Sequence, residues 1–249
     1  LTGAGPLLAW RHTSVETLKR SFGWPILGSA ILVVVLLAFG IRDGWALGSF
    51  AISFFVMWTI VVEFVKGANI RKKNSGENFL VAMYMLSRKN TRRYGGYLIH
   101  AAMVIMFIGF TGNAFNSETR AEVGEGDSFQ LGPYTFNAIK ITEAQTENYS
   151  SQTLELEMYR NDRLIDVITP EKRFYFASEQ PSTEVDIYST LREDIYAVLS
   201  GMSNDGTKVI VQVYRNPFVT MVWIGSFIMA LGTLFALLPN LRESKGGVE

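Results

Sequence analysis

The chain has 249 residues, with 23 acidic and 23 basic side chains, so its total charge says nothing about partners. It contains no cysteine, which excludes a disulfide framework, thiol redox chemistry and cysteine-ligated zinc or iron–sulfur sites. Hydrophobic residues make up 48% and charged residues 18%, and the two classes are segregated along the chain.

Residues 1–23 form an N-terminal segment with Arg11, Lys19 and Arg20 ahead of the first apolar run. It opens on Leu1 without a cleavable signal layout, and the chain reads as a fragment or as one piece of a split protein. Apolar runs follow at residues 24–41, 45–65, 97–115 and 218–238. Roughly 20 apolar helical residues cross a hydrocarbon core of about 30 Å. The pattern therefore predicts four transmembrane helices, the first the shortest. The first two fill residues 24–65, the third, with His100, residues 94–115, and the fourth, with the tail, residues 216–249. Trp24, Trp45 and Trp223 sit at span ends and read as interfacial anchors, whereas Trp58 reads as packing.

Residues 66–93 read as a basic loop: Lys66, Arg71, Lys72, Lys73, Arg88, Lys89, Arg92 and Arg93 stand against the single acid Glu77. The positive-inside rule places this loop in the cytoplasm, and both termini with it, in agreement with Arg242 and Lys245. Within it, residues 78–86 carry Phe79, Met83 and Leu86 at helical spacing. They read either as an interfacial helix or as a surface helix packed on protein.

Residues 116–215 face outward in this topology and read as β. Strands are expected at 134–141, 153–159, 164–168, 184–188, 195–199 and 208–214. Turn signals separate them: Gly132-Pro133, Asn161-Asp162, Gln180-Pro181 and the hairpin signal Asn204-Asp205-Gly206. The fold class expected is an α+β membrane protein, four transmembrane helices plus an extracytoplasmic antiparallel β domain built as a sandwich or barrel.

One side chain carries a chemical hypothesis. His100 lies inside the third apolar span, after the basic, glycine-rich Arg92-Arg93-Tyr94-Gly95-Gly96-Tyr97. An imidazole in hydrocarbon is costly unless paired, hydrogen-bonded or metal-bound. It is therefore a candidate axial ligand of haem b iron, the structural alternative being a polar clasp to another helix. Gly95 and Gly96 would allow a flat macrocycle or a neighbouring helix to approach closely. Glu63, in the same leaflet, is a candidate proton relay if a quinol is oxidised nearby, or else a carboxylate snorkelling beside Lys66. His12, on the cytoplasmic flank, does not reach the plane of His100, so a second axial ligand has to come from outside this chain. No phosphate-cradling loop, nucleophile elbow or metalloprotease helix occurs, no catalytic residue is assigned, and no nucleic-acid partner is expected.

Several stretches together resemble the C-terminal part of the bacterial cytochrome c-type biogenesis haem lyases, the CcmF/NrfE family. They are Gly5-Pro6-Leu7-Leu8-Ala9-Trp10-Arg11, Arg92-Arg93-Tyr94-Gly95-Gly96-Tyr97 with His100, Pro170-Glu171-Lys172-Arg173-Phe174-Tyr175, and Asn216-Pro217-Phe218-Val219 with Trp223-Ile224-Gly225. The resemblance implies a multi-pass protein of the bacterial inner membrane. Such lyases take haem from a periplasmic haem chaperone, reduce it and attach it to apocytochrome c. It further implies a resident b haem held by two transmembrane histidines and supplied with electrons from quinol, His100 matching the second of them. The family's first transmembrane histidine, tryptophan-rich loop and two periplasmic histidines do not appear here, and His12 stands where the family usually has a second arginine. The chain is thus expected to partner the N-terminal half of a lyase and to be inactive alone. Two other readings stand beside this one: a docking or scaffold module of the maturation complex, and a haem-b quinol oxidoreductase subunit.

Overall fold

A computed structural model describes residues 15–203 and 206–240, with side chains from residue 22. His12, the Gly5 to Arg11 motif, Arg242, Lys245 and the Asn204-Asp205 part of the expected hairpin turn lie outside the described residues. The chain divides into a helical unit, Leu1–Ala114 with Met221–Glu249, and a β unit, Phe115–Thr220.

The helical unit contains α1 (Val15–Ala38), α2 (Gly44–Ser75), α3 (Phe79–Lys89), α4 (Thr91–Thr111) and α5 (Val219–Leu237). Among the described residues three helices are long and apolar enough to cross a membrane: Gly44–Ser75, Thr91–Phe115 with its closing 3-10 turn, and Val219–Leu237. The expected first span is shorter than the other three, an apolar stretch of only Phe22–Ala38. Its end is set by Gly40, whose φ of +91° breaks the helix and lets Ile41 N–H reach back to the Leu36 carbonyl.

The expected loop at 66–93 is mostly helix. α2 starts at Asp43, whose carboxylate accepts from Ala46 N–H at 2.7 Å, and meets no stop until Gly76 at φ +72°. Lys66, Arg71, Lys72 and Lys73 therefore ride on its last turns. α3 is capped by the Asn78 side chain, which accepts from Val81 N–H at 2.9 Å, and α4 begins at once after Asn90. Hydropathy marks where the hydrocarbon ends, but lysine and arginine are good helix formers, so charge alone does not end a helix. Trp24, Trp45 and Trp223 are exposed, while Trp58 tilts against Phe54 at 5.5 Å.

α4 and α5 run antiparallel in close contact through small residues. A Cβ at Gly225 would meet Met106 and the Ala102 carbonyl, and one at Gly232 would meet Ile99. At one end of the pair, the Thr91 hydroxyl donates to the Leu238 carbonyl at 2.6 Å. Helices in lipid gain little from apolar burial, so close backbone approach of this kind holds them together.

The β unit is a sandwich of two antiparallel sheets. One has the order β1 (Ser117–Val123), β10 (Val209–Pro217), β9 (Glu193–Met202), β8 (Asp186–Ser189). The other has the order β2 (Ser128–Leu131), β3 (Tyr134–Gln145), β4 (Tyr149–Arg160), β6 (Glu171–Tyr175), β7 (Gln180–Glu184), with β5 (Arg163–Ile168) also on β4. Alternate residues of each strand face inward. Phe136 and Ala138, Leu154, Leu156 and Met158, Ile195, Ala197 and Leu199, and Val209, Val211 and Val213 form one core.

Of the expected turns, Gln180-Pro181 instead opens strand β7, the chain turning just before it at residues 176–179, whereas Gly132-Pro133 and Asn161-Asp162 have the required backbone. Asn161 and Asp162 take φ of 51° and 59° between β4 and β5, and Gly132 takes φ +56° between β2 and β3. The expected strand at 184–188 is split: Glu184 ends β7 in one sheet, and Asp186 begins β8 in the other. β1, β2, β6 and β7 carried too little apolar alternation to be expected. β1 is an edge strand with three charged residues, and β7 contains Pro181, which only an edge tolerates.

Candidate functional site

α2 and α4 pack antiparallel and are pinned at both ends. Near one end the Ser49 and Thr111 hydroxyls share a hydrogen bond, and Thr111 also donates to the Phe107 carbonyl at 2.7 Å. Near the other, Phe64 packs on Tyr94 and Tyr97 at 4.9 and 5.9 Å between ring centroids. There Arg93 donates to the Tyr97 hydroxyl and to the Glu63 carboxylate at 3.0 Å. Val56, Ile60 and Val104 fill the space between the pins.

Beside this seam runs an apolar groove of about 580 Å³, walled by α2 and α4. Its α2 wall presents Gly44, Gly48, Ser49 and Ser53 together with Ile52 and Val56, and its α4 wall presents His100, Met103, Val104 and Phe107. The small residues recur at helical spacing, which keeps α2 flat at Gly44 and Gly48, beside the larger Trp45 and Ile52. At Gly44 and Gly48 an added Cβ would meet nothing within 4 Å, so the flatness is not used to seat another helix of the unit. Trp45 stands at one rim, 91% exposed.

His100 Nδ1 is buried and has no hydrogen-bond partner among the described residues. Leaving a buried donor or acceptor unmade costs about 1–3 kcal/mol, so the imidazole is held at this wall without an internal partner among the described residues to account for it. The polar clasp weighed above thus has no partner among the described helices. The groove also falls in the range of roughly 300–1,000 Å³ typical of cofactor sites, which are largely apolar with a few placed polar groups. An imidazole at the edge of a flat apolar slot fits one axial side of a haem. No cluster of three or more His, Cys, Asp or Glu occurs beside it among the described residues.

The other site residues separate. Gly95 is taken by the neighbouring helix: an added Cβ would lie 2.6 Å from Ala236 Cβ. Gly96 faces open space. Glu63 is bound by Arg93 and lines a different cavity, so His100 and Glu63 do not share one. Sequence reading missed the groove's α2 wall, although Gly44 and Gly48 are a small-xxx-small pair. It also missed Glu193 in the β unit, 6% exposed yet carrying a carboxylate. Glu193 accepts from Tyr134 Oη at 2.8 Å and is paired with Arg215. Burial, followed by the bond to Glu193, pushes the Tyr134 phenol up to about 12.

Residues 114–217 match the family described as CcmF C-terminal beta-sandwich. Over 96% of its length the chain is 28% identical to "Cytochrome c-type biogenesis protein CcmF" of Haemophilus influenzae. The chain is similar to the C-terminal part of the CcmF/NrfE proteins. A second CcmF, from Escherichia coli, is 24% identical over 98% of the chain, and the Haemophilus influenzae NrfE is 22% identical over 92%. The chain spans 36% of the length of either CcmF and 34% of that NrfE. A solved structure titled "Cytochrome c Heme Lyase CcmF" shares the fold, with a TM-score of 0.76 and 20% identity over 96% of this chain and 38% of that one.

Proposed function

We propose that this chain is one part of a cytochrome c haem lyase of the bacterial inner membrane, and that His100 is an axial ligand to a b haem seated against the α2–α4 groove. The observation that carries the reading is the unpartnered, buried nitrogen of His100 at the wall of an apolar groove of cofactor size. The relationship to cytochrome c biogenesis proteins supports it from a separate direction. Bound haem would supply one-electron redox chemistry at its iron. The chain's own residues have simpler tasks. His100 offers the ligand nitrogen, Gly44 and Gly48 keep part of one wall flat, and Met103 and Phe107 exclude water.

The second axial ligand comes from outside this chain. His12 is its one other histidine, and it sits beside Arg11 on a basic flank. The N-terminal half of the lyase is the expected source, and the lyase acts only with it. The basic ends of α2, α3 and α4 face the cytoplasm in this reading, both termini with them, and the β sandwich faces the periplasm. There the haem chaperone and apocytochrome c would be met. Quinol is the electron source, and Glu63, held by Arg93, is a proton relay only if that ion pair opens.

The test is a difference spectrum of the assembled lyase. His100→Ala should remove the b-haem signal and impair cytochrome c maturation while membrane insertion persists, and added imidazole should restore part of the spectrum. His12→Ala should leave the signal intact. A full b-haem spectrum in His100→Ala would overturn the assignment.

A further inference from the structure

At the end of the helical unit away from the groove, α2, α3 and α4 enclose a second cavity of about 630 Å³. Lys66, Arg71, Asn74, Ser75, Arg93 and Tyr94 are among its walls, with Glu63 as the carboxylate of its lining. Glu63 is neutralised by Arg93, and Arg71 is bound at 2.8 Å to Glu77. Both ion pairs use Nε or Nη2 of the guanidinium, and no bond to either Nη1 forms among the described residues. Lys66 has no partner among them at all and is exposed. The surrounding helix ends add Lys72, Lys73, Arg88 and Arg92, and Arg88 Nη1 is buried without a hydrogen-bond partner.

The same surface is also apolar. Ile70, a wall of the cavity, is 64% exposed, and α3 turns Leu80 and Tyr84 outward at 70% and 59%. α3 is held to the unit from its other side, where Leu86 packs against Gly67 and Ala82 is fully buried. A water-facing surface gains nothing from exposed leucine and isoleucine among surplus cations. A phospholipid satisfies both, its phosphate meeting the cations and its acyl region the apolar side chains.

We propose that the cavity between α2, α3 and α4 binds the phosphate headgroup of an anionic membrane phospholipid, with Lys66 as its uncommitted cation and α3 lying along the interface. The occupant is a membrane lipid and not free phosphate, because the cations are continuous with exposed apolar side chains at the end of two membrane-length helices. This proposal is independent of haem.

The full chain in phosphatidylcholine nanodiscs, probed by electron paramagnetic resonance with spin-labelled phosphatidylglycerol and spin-labelled phosphatidylcholine, tests it. The motionally restricted fraction should favour phosphatidylglycerol. Lys66→Gln should lower that selectivity about fivefold, the worth of one cation near an anionic surface. Lys66→Arg should preserve it, and Lys66→Glu should lower it further. Lys140→Gln, an exposed lysine of the β unit, should leave it unchanged. Equal restriction of both lipids, or unchanged selectivity in Lys66→Gln and Lys66→Glu, would overturn the proposal. Displacement of the labelled lipid by millimolar inorganic phosphate as readily as by unlabelled phosphatidylglycerol would also overturn it, by making the cavity a free-phosphate site.

Discussion

Gly95 and Gly96 are adjacent, share one helix and should respond to the same substitution with opposite signs. In Gly95→Ala the new methyl would lie 2.6 Å from Ala236 Cβ, 2.8 Å from its Cα and 2.9 Å from its backbone nitrogen. Two of those atoms are main chain, so no rotamer change relieves the contact. Restoring ordinary carbon–carbon distances of about 3.5 Å requires α4 and α5 to separate by nearly 1 Å. That separation also loosens Gly232 from Ile99 and Gly225 from Met106, the other close approaches along the seam. Overpacking of this kind costs about 1–3 kcal/mol. In Gly96→Ala the methyl meets nothing within 4 Å. It should be neutral or stabilising by up to about 1 kcal/mol, because alanine restricts the unfolded chain and glycine does not. Thermal unfolding of the full chain in one detergent, followed by helical circular dichroism, compares the two. Gly95→Ala should melt below the parent and Gly96→Ala at or above it. Equal shifts in the two variants, or the reverse order, would refute the close-approach argument and with it the α4–α5 packing.

Two further outcomes follow from the groove and from the buried carboxylate. Gly48→Leu places a large side chain into the groove where its Cβ meets no neighbour. The assembled lyase should lose b-haem absorbance while melting at its usual temperature, and a full spectrum would mean that the groove is not the haem seat. In the β unit, Tyr134 keeps its proton when folded to a pH of about 12, against 10.0 for the free phenol. Its folded pKa is raised, so the stability it contributes is complete below pH 10 and is lost as pH rises from 10 toward 12. Tyr134→Phe should remove that alkaline slope, worth about 1.4 kcal/mol by pH 11, and should lower neutral-pH stability by about 1.5–3 kcal/mol through the lost bond to Glu193. Urea unfolding of the parent and the variant at pH 7 and at pH 11 checks both, and an unchanged slope in Tyr134→Phe would assign it elsewhere.

Much of the architecture was legible because it is written in short-range periods. A largely apolar run of roughly 20 residues is more stable in hydrocarbon than in water, so residues 45–65, 97–115 and 218–238 read as membrane-length helices, and helices of that length form there. Alternation in Thr153-Leu154-Glu155-Leu156-Glu157-Met158 put Leu154, Leu156 and Met158 on one face, and that face is the sandwich core. His100 stood out because an ionisable group in an apolar span needs a reason.

What the tertiary structure decided was partnership, which no local period encodes. Gly95 and Gly96 look alike in sequence, yet Ala236, 141 residues away from the first, occupies the space beside Gly95 and leaves Gly96 open. Glu63 read on paper as a proton relay or as a carboxylate snorkelling beside Lys66, and Arg93 on the facing helix claims it instead. The single expected strand at 184–188 was divided at Val185, because its two halves find hydrogen-bonding partners in different sheets, β6 for one and β9 for the other. The groove beside His100 belongs to neither helix alone. Gly44 and Gly48 keep part of one wall flat, and it becomes a cavity only because the Ser49–Thr111 hydrogen bond and the Phe64–Tyr94–Tyr97 cluster hold α4 against α2 at both ends. Burial and alternation depend on what each side chain prefers as solvent, which a sequence states directly. Contacts between distant segments depend on how those preferences are satisfied together, and that is fixed only in three dimensions.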